Sequence, residues 1–293
     1  MCATCGCSDD GGVIVTDLDD QQHHSHDEDW PGYDHFHGAD HSHGGERSAG
    51  GDHAHDSNHP HEIESRTPAE DKLIVLEQQV LAKNDELAAR NRSRLAAAGT
   101  IAINLMSSPG SGKTTLLERT IREAGTIISI SVVEGDQATL LDANRIRATG
   151  CRVVQVNTGA GCHLDADMVR RALDALAPPT GSVVVVENVG NLVCPALFDL
   201  GENVRVVVMS VTEGDDKPLK YPHMFRTADL VLLNKIDLLP YVDFDVAHFS
   251  AAVRAVRPHA EICAVSATKG DGMENWYAWL SRQSSIPHSL IPG

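Results

Sequence analysis

The chain has 293 residues, 42% of them hydrophobic and 22% charged, which is enough for one or two domains with a real core. Its formal net charge of −17 is unevenly placed: residues 1–70 hold 16 of the 41 acidic side chains and two of the 24 basic ones, a net of −14 that leaves −3 for the rest. Nucleic acid and anionic membrane are excluded as partners on that balance, since either needs basic patches. No apolar run reaches membrane-spanning length, and Met1-Cys2-Ala3-Thr4-Cys5 lacks the regions of a signal peptide, which predicts a cytoplasmic protein. Seven cysteines in a reducing compartment read as thiols or metal ligands, not as a disulfide framework.

Cys2, Cys5 and Cys7 crowd the first seven residues. Thiolates that close cannot bridge one another without strain, but they can wrap one soft metal ion, in a geometry that spacing leaves open between zinc and nickel. From Asp9 to His61 the composition is Gly, Asp, Ser and eleven histidines (His23, His24, His26, His35, His37, His41, His43, His53, His55, His59 and His61). Such a segment cannot bury enough surface to fold and is expected to be a disordered, metal-storing tail. Residues 1–66 are taken as that tail. Thr67-Pro68-Ala69-Glu70 is a capping box with proline at the first helical position, and a helix over 67–99 follows, its inward face marked by Leu73, Leu76, Val80, Leu81 and Leu87 and its end by Gly99.

Residues 100–285 alternate apolar strands with helical segments. Ile101 to Met106 reads as a buried strand, followed by Ser107-Ser108-Pro109-Gly110-Ser111-Gly112-Lys113-Thr114-Thr115. Backbone N–H groups of such a loop, with the positive end of the next helix, cradle phosphates. Gly110, Ser111, Gly112 and Thr115 would line the cradle, Lys113 would neutralise the β- and γ-phosphates, and Thr114 would offer its hydroxyl to magnesium. The pattern resembles the P-loop of nucleoside triphosphatases, with Ser107 where the first glycine normally stands. A strand from Ile127 to Val133 ends in Glu134-Gly135-Asp136-Gln137, and Asp136 with Asp142 are the candidate magnesium acids at its carboxyl end.

Cys151 to Val156 is the next strand and leads to the adjacent pair Cys162-His163, just before a helix capped by Asp165. A further strand, Val183 to Val186, leads through Glu187-Asn188-Val189-Gly190 to Cys194. Loops at the carboxyl edge of a parallel sheet converge, which would bring Cys162, His163 and Cys194 together as three ligands of an exchangeable metal site. Glu187 and Gly190 also resemble the switch loop of GTPases, whose glycine amide senses the γ-phosphate and whose acid reaches magnesium. Glu187 stands where most of those proteins have aspartate.

Strands at Val204 to Val211 and Asp229 to Leu233 follow, the second ending in Asn234-Lys235-Ile236-Asp237. The Asp237 carboxylate would accept from the N1–H and 2-amino groups that guanine has and adenine lacks, with Lys235 along the base and Asn234 bracing the loops. The strand at Ile262 to Val265 ends in Ser266-Ala267, the second half of a guanine clamp, and a helix from Met273 closes the unit with Trp276 and Trp279 against the sheet. The fold class expected is α/β: a mostly parallel central sheet with helices on both faces, a P-loop G domain behind a disordered His-rich tail. Lys113, Thr114, Asp136 and Glu187 are the candidate catalytic residues.

With the N-terminal C-x-x-C-G-C, the histidine-rich tail, Gly161-Cys162-His163 and Glu187 to Pro195 added to the G-domain motifs, the chain resembles the HypB family of nickel-incorporation GTPases. That resemblance implies GTP hydrolysis with magnesium, homodimerisation on GTP or metal binding, and partnership with the nickel chaperone HypA and a [NiFe]-hydrogenase large-subunit precursor. It also implies a tight nickel site at Cys2, Cys5 and Cys7 and a weaker nickel or zinc site at Cys162, His163 and Cys194. The nearest rival is a urease-type nickel GTPase, which shares the G domain but typically carries a Cys-Pro-His triplet absent here; a rival from another class is a nickel or zinc storage and buffering protein with a regulatory G domain.

Overall fold

The computed structural model describes residues 13–18 and 68–284 except Ala138 and Ala160, with side chains of the first helix described from residue 78 onward. Cys2, Cys5, Cys7, the eleven tail histidines and Thr67 of the capping box lie outside the described residues.

Eight strands form one sheet: β1 (Ile14–Asp17), β2 (Ile101–Ser107), β3 (Ile130–Asp136), β4 (Arg152–Asn157), β5 (Val183–Glu187), β6 (Val204–Ser210), β7 (Leu230–Asn234) and β8 (Glu261–Ala264). Their order is β1-β4-β3-β5-β2-β6-β7-β8, and every pair is parallel except β1 with β4. The helices are α1 (Pro68–Ala97), α2 (Lys113–Ala124), α3 (Leu141–Arg147), α4 (Ala166–Leu176), α5 (Lys217–Lys220), α6 (Pro222–Arg226), α7 (Val246–Val256) and α8 (Met273–Ser284).

A parallel strand covered on both faces must be apolar at every position, and β5 is Val-Val-Val-Val-Glu for that reason. Val183 and Val185 face Leu116, Leu117 and Ile121 of α2 and Trp276 and Trp279 of α8. Val184 and Val186 face Leu173 and Leu176 of α4 and Leu95 of α1. A third apolar cluster sets Phe225 of α6 and Phe249 of α7 against Val207 and Val231. The two tryptophans stack with ring centroids 5.5 Å apart, and Trp276 Nε1 donates to Thr120 Oγ1 at 2.8 Å.

Three sequence expectations differ from what forms. The tail is not structureless throughout: Ile14–Asp17 pairs antiparallel with β4, from Ile14 opposite Asn157 to Asp17 opposite Val154. Val13 and Val15 pack on the cluster beneath α4, and Leu18 is buried. Four aliphatic residues in a row of six suffice for an edge strand, although a composition read over fifty residues hides them. In α1, Val80 is half exposed, and the buried seam is Asn84, Ala88, Asn91 and Leu95. Strand starts also shift: Ile127 and Ile128 belong to the turn after α2, and Ile128 is buried there.

Candidate functional site

All seven parallel strands end on one edge, where a doubly wound sheet places its ligands, and β2 lies where the strand order runs away in both directions. The loop from Ser107 to Gly112 emerges there and leads into α2. Ser107 is fully buried: its Oγ accepts from Lys113 Nζ at 2.7 Å and donates to the Ser108 carbonyl at 2.7 Å. The side chain at the usual glycine position thus holds the Lys113 ammonium. Thr114 Oγ1 donates to Glu187 Oε1 at 2.7 Å across the gap between α2 and β5, and the other Glu187 oxygen is buried without a partner. Gly190, three residues on, is pressed against the loop: a Cβ there would lie 2.9 Å from Pro109 Cα.

Thr114 and Glu187 fit a hard dication, because one hydroxyl and an unspent buried carboxylate oxygen are the donor types magnesium takes. Asp136 and Asp142 are not brought to the same point. Asp136 turns back on its own loop, accepting from Gln137 N at 2.7 Å and from Thr139 Oγ1 at 2.7 Å. Asp142 pairs with Arg145 at 3.0 Å in the first turn of α3, its charge felt at both Glu187 and Glu134. Burial pushes the Glu187 carboxyl up, against the opposing pull of Lys113 and the Thr114 hydroxyl.

Two acids escaped the sequence reading. Glu134 lies opposite Glu187 in the β3–β5 register, so both side chains leave one face of the sheet. It is buried with an unpartnered oxygen, and desolvation, followed by the charge of Glu187, pushes its carboxyl up to about 9. A lone acid inside a β-branched run was the available signal. Glu213 closes the other side of the loop, accepting from the Ser108 hydroxyl and from Ser210 N.

The base-binding segments also meet. Asn234 Nδ2 donates to the Ser111 carbonyl at 2.9 Å, and its Oδ1 accepts from Ala267 N at 3.0 Å. Lys235 Nζ reaches the Gly110 carbonyl at 2.7 Å, and Asp237 Oδ1 accepts from Ser266 Oγ at 2.6 Å. Asn234, Lys235, Asp237, Ser266 and Ala267 are therefore one constellation beside the phosphate loop. The Ala267 amide is spent on Asn234.

The metal-ligand residues converge as well. Donor atoms of Cys162, His163 and Cys194 all lie within 4.8 Å of one another. Their loops follow β4 and β5, which are separated by β3, so the Cys162 loop reaches across the end of that strand. Three contacts tie it to the nucleotide side: Leu164 N donates to Asn188 Oδ1 at 3.1 Å, Asn191 Nδ2 to the Cys162 carbonyl at 3.4 Å, and Gln137 Nε2 to the Gly161 carbonyl at 3.3 Å. The His163 ring stacks on Phe198 with centroids 4.0 Å apart. Burial lowers its pKa, with Asp165 opposing, which favours the neutral imidazole that binds metal. Asp165 caps α4 as expected, accepting from Met168 N at 2.8 Å.

Residues 101–264 match the family model described as CobW/HypB/UreG, nucleotide-binding domain. The chain is 56% identical over 212 residues to the hydrogenase maturation factor HypB of Rhizobium leguminosarum bv. viciae, covering 72% of this chain and 71% of that one. To HypB of Escherichia coli K12 it is 54% identical over 215 residues, 73% of this chain and 74% of the other. Among solved structures it superposes on HypB of Archaeoglobus fulgidus with a TM-score of 0.66 at 42% identity, covering 70% of this chain and 100% of that one. On Helicobacter pylori HypB in complex with nickel the TM-score is 0.65 at 39% identity, over 69% of this chain and 95% of the other.

Proposed function

The chain belongs to the HypB hydrogenase maturation factors of the CobW/HypB/UreG nucleotide-binding family, and from that premise we propose that it hydrolyses GTP to drive nickel into a [NiFe]-hydrogenase large-subunit precursor. The observation that carries this reading is the direct hydrogen bonding between the Cys162-His163 loop and the Glu187 to Asn191 segment that presses on the phosphate loop. Nickel is the cargo, held by Cys162, His163 and Cys194; two thiolates and an imidazole are a donor set that suits nickel or zinc. The nickel complex of the Helicobacter pylori relative supports the choice of metal.

GTP would lie along the loop from Ser107 to Thr115. Lys113 leaves Ser107 Oγ for the β- and γ-phosphates, and the Gly110 to Gly112 amides hold their oxygens. Asp237, freed on one oxygen, accepts from the guanine ring. Thr114 and Glu187 would hold magnesium, which when bound would supply charge neutralisation at the phosphates. Because Asn188 and Asn191 hold Leu164 N and the Cys162 carbonyl, any shift of the Glu187 to Asn191 segment on nucleotide binding would be passed to the metal loop. Asp136 and Asp142 join the magnesium shell only if the Gln137 to Asp142 segment reorganises around nucleotide. The protein would act in the cytoplasm, as a homodimer on GTP or metal binding, with HypA supplying nickel and Cys2, Cys5 and Cys7 holding a second pool. Among the described residues no helix is long and apolar enough to cross a membrane.

GTP turnover by the full chain, with and without nickel, tests the reading beside Cys162→Ala and Cys194→Ala. Turnover that responds to nickel in the parent and not in either variant is expected. Turnover indifferent to nickel in all three would leave the triad uncoupled from the nucleotide and favour a metal buffer.

A further inference from the structure

The inward seam of α1 is polar where a docked helix would ordinarily be apolar, and its polar members reach both ligand-bearing loops. Asn84 is buried: its Oδ1 accepts from Ala166 N at 2.9 Å, and its Nδ2 donates to the Asp199 carbonyl at 2.8 Å. Ala166 opens α4, three residues after His163, and Asp199 is the neighbour of Phe198, on which the His163 ring stacks. One turn pair along, buried Asn91 donates to the Ala166 carbonyl at 2.8 Å and to the Leu200 carbonyl at 3.0 Å. Two asparagines two helical turns apart therefore bridge the same two chain segments. Arg92 adds an outer pair to Asp199 at 2.7 Å.

The close approach is built into the loop too. Gly201 has φ of +89°, and a Cβ there would lie 2.5 Å from the Ala88 carbonyl oxygen and 2.6 Å from Asn91 Cβ. Only glycine lets the segment after Phe198 lie flat against the helix. A helix required only for hydrophobic docking needs neither buried amide, because a buried amide costs free energy unless every partner is in place.

We propose that α1 is a staple for the metal site: Asn84 and Asn91 are positioning residues that hold the segment following Cys162-His163 against the segment following Cys194. The Phe198 ring stays on His163 as a consequence. This rests on the reading of Cys162, His163 and Cys194 as a metal site. Groups that orient ligands without touching the ion commonly change metal affinity by about 10- to 100-fold when removed.

The test uses the full chain with Cys2, Cys5 and Cys7 changed to Ser, so that thiolate-to-nickel absorption reports only the remaining cysteines. Nickel is titrated against a competing chelator, and GDP affinity is measured on the same samples. Asn84→Ala is expected to weaken the thiolate-bearing site by about tenfold or more while GDP affinity stays within about twofold. Asn84→Ser, whose hydroxyl can serve one of the two backbone partners, is the milder variant should alanine prevent folding, and it is expected to fall between. Nickel affinity within about twofold of the parent in the folded variants, with the band lost when Cys162 and Cys194 are both changed to Ala, overturns the staple and leaves the metal site standing. A band that survives that double change overturns the metal reading and the staple with it.

Discussion

Thr114 Oγ1 and Glu187 Oε1 are 2.7 Å apart, so the hydroxyl and the acid suited to one dication satisfy each other in its place. The second Glu187 oxygen is buried and has no hydrogen-bond partner. Glu187→Gln keeps the hydrogen bond to Thr114 but removes the charge. Magnesium-dependent GTP hydrolysis is expected to fall at least about tenfold, or about 1.4 kcal/mol in the barrier. GDP binding in the presence of a chelator should be unchanged, and equal turnover in parent and variant would remove Glu187 from the magnesium site.

Asp237 has one oxygen tied to Ser266, and its carboxylate is the proposed acceptor for guanine. Asp237→Asn replaces an acceptor with a donor facing the guanine N1–H and 2-amino groups. Two groups left unpaired cost about 2 to 4 kcal/mol, which is roughly 30- to 1000-fold in GTP affinity. Xanthine carries a carbonyl in place of the 2-amino group, so the variant should bind xanthosine triphosphate better than GTP. Competition of both nucleotides for a fluorescent GDP analogue reads the reversal, and an unaltered preference for GTP would move the base elsewhere.

The central strands were legible because a parallel strand covered on both faces leaves an uninterrupted apolar run, as Val183 to Val186 does. The phosphate loop and the base segments were legible because glycine and polar residues in fixed order have few other uses. The α1 seam was not, since Asn84 and Asn91 read as solvent-facing until their backbone partners more than seventy residues away are known. Glu134 was passed over for a related reason: its place beside Glu187 comes from strand register, which no local pattern encodes. Asp136 and Asp142 have the position in sequence that a magnesium acid needs, yet local turn bonds and the Arg145 pair claim their oxygens here.

Glu134 makes stability depend on pH. Its carboxyl is raised from 4.5 to about 9 by burial, so between those values the folded chain holds a proton that the unfolded chain has lost. The stabilising contribution is complete below the unfolded value and disappears as pH rises toward 9. Glu134→Gln keeps the shape without the titration, and at neutral pH it is expected to stabilise the nucleotide-free protein by about 1 to 3 kcal/mol. Thermal unfolding from about pH 6 to pH 8.5 checks this: the parent midpoint should fall more steeply than that of the variant. Parallel curves would show that another group takes up the charge.

Asn191 donates to the Cys162 carbonyl from the residue next to Gly190, and Gly190 touches the phosphate loop. A nucleotide can change metal affinity only by the difference in its own affinity for the two arrangements, and a tenfold change requires about 1.4 kcal/mol of coupling. The single amide contact at 3.4 Å is of the right size to carry part of that, with Asn188 and Gln137 sharing the load. Nickel affinity measured with GDP and with a non-hydrolysable GTP analogue is expected to differ in the parent. In Asn191→Ala the two values should draw together. If the ratio persists undiminished in Asn191→Ala, the coupling runs through Asn188 and the α4 start, and Asn188→Ala should then abolish it.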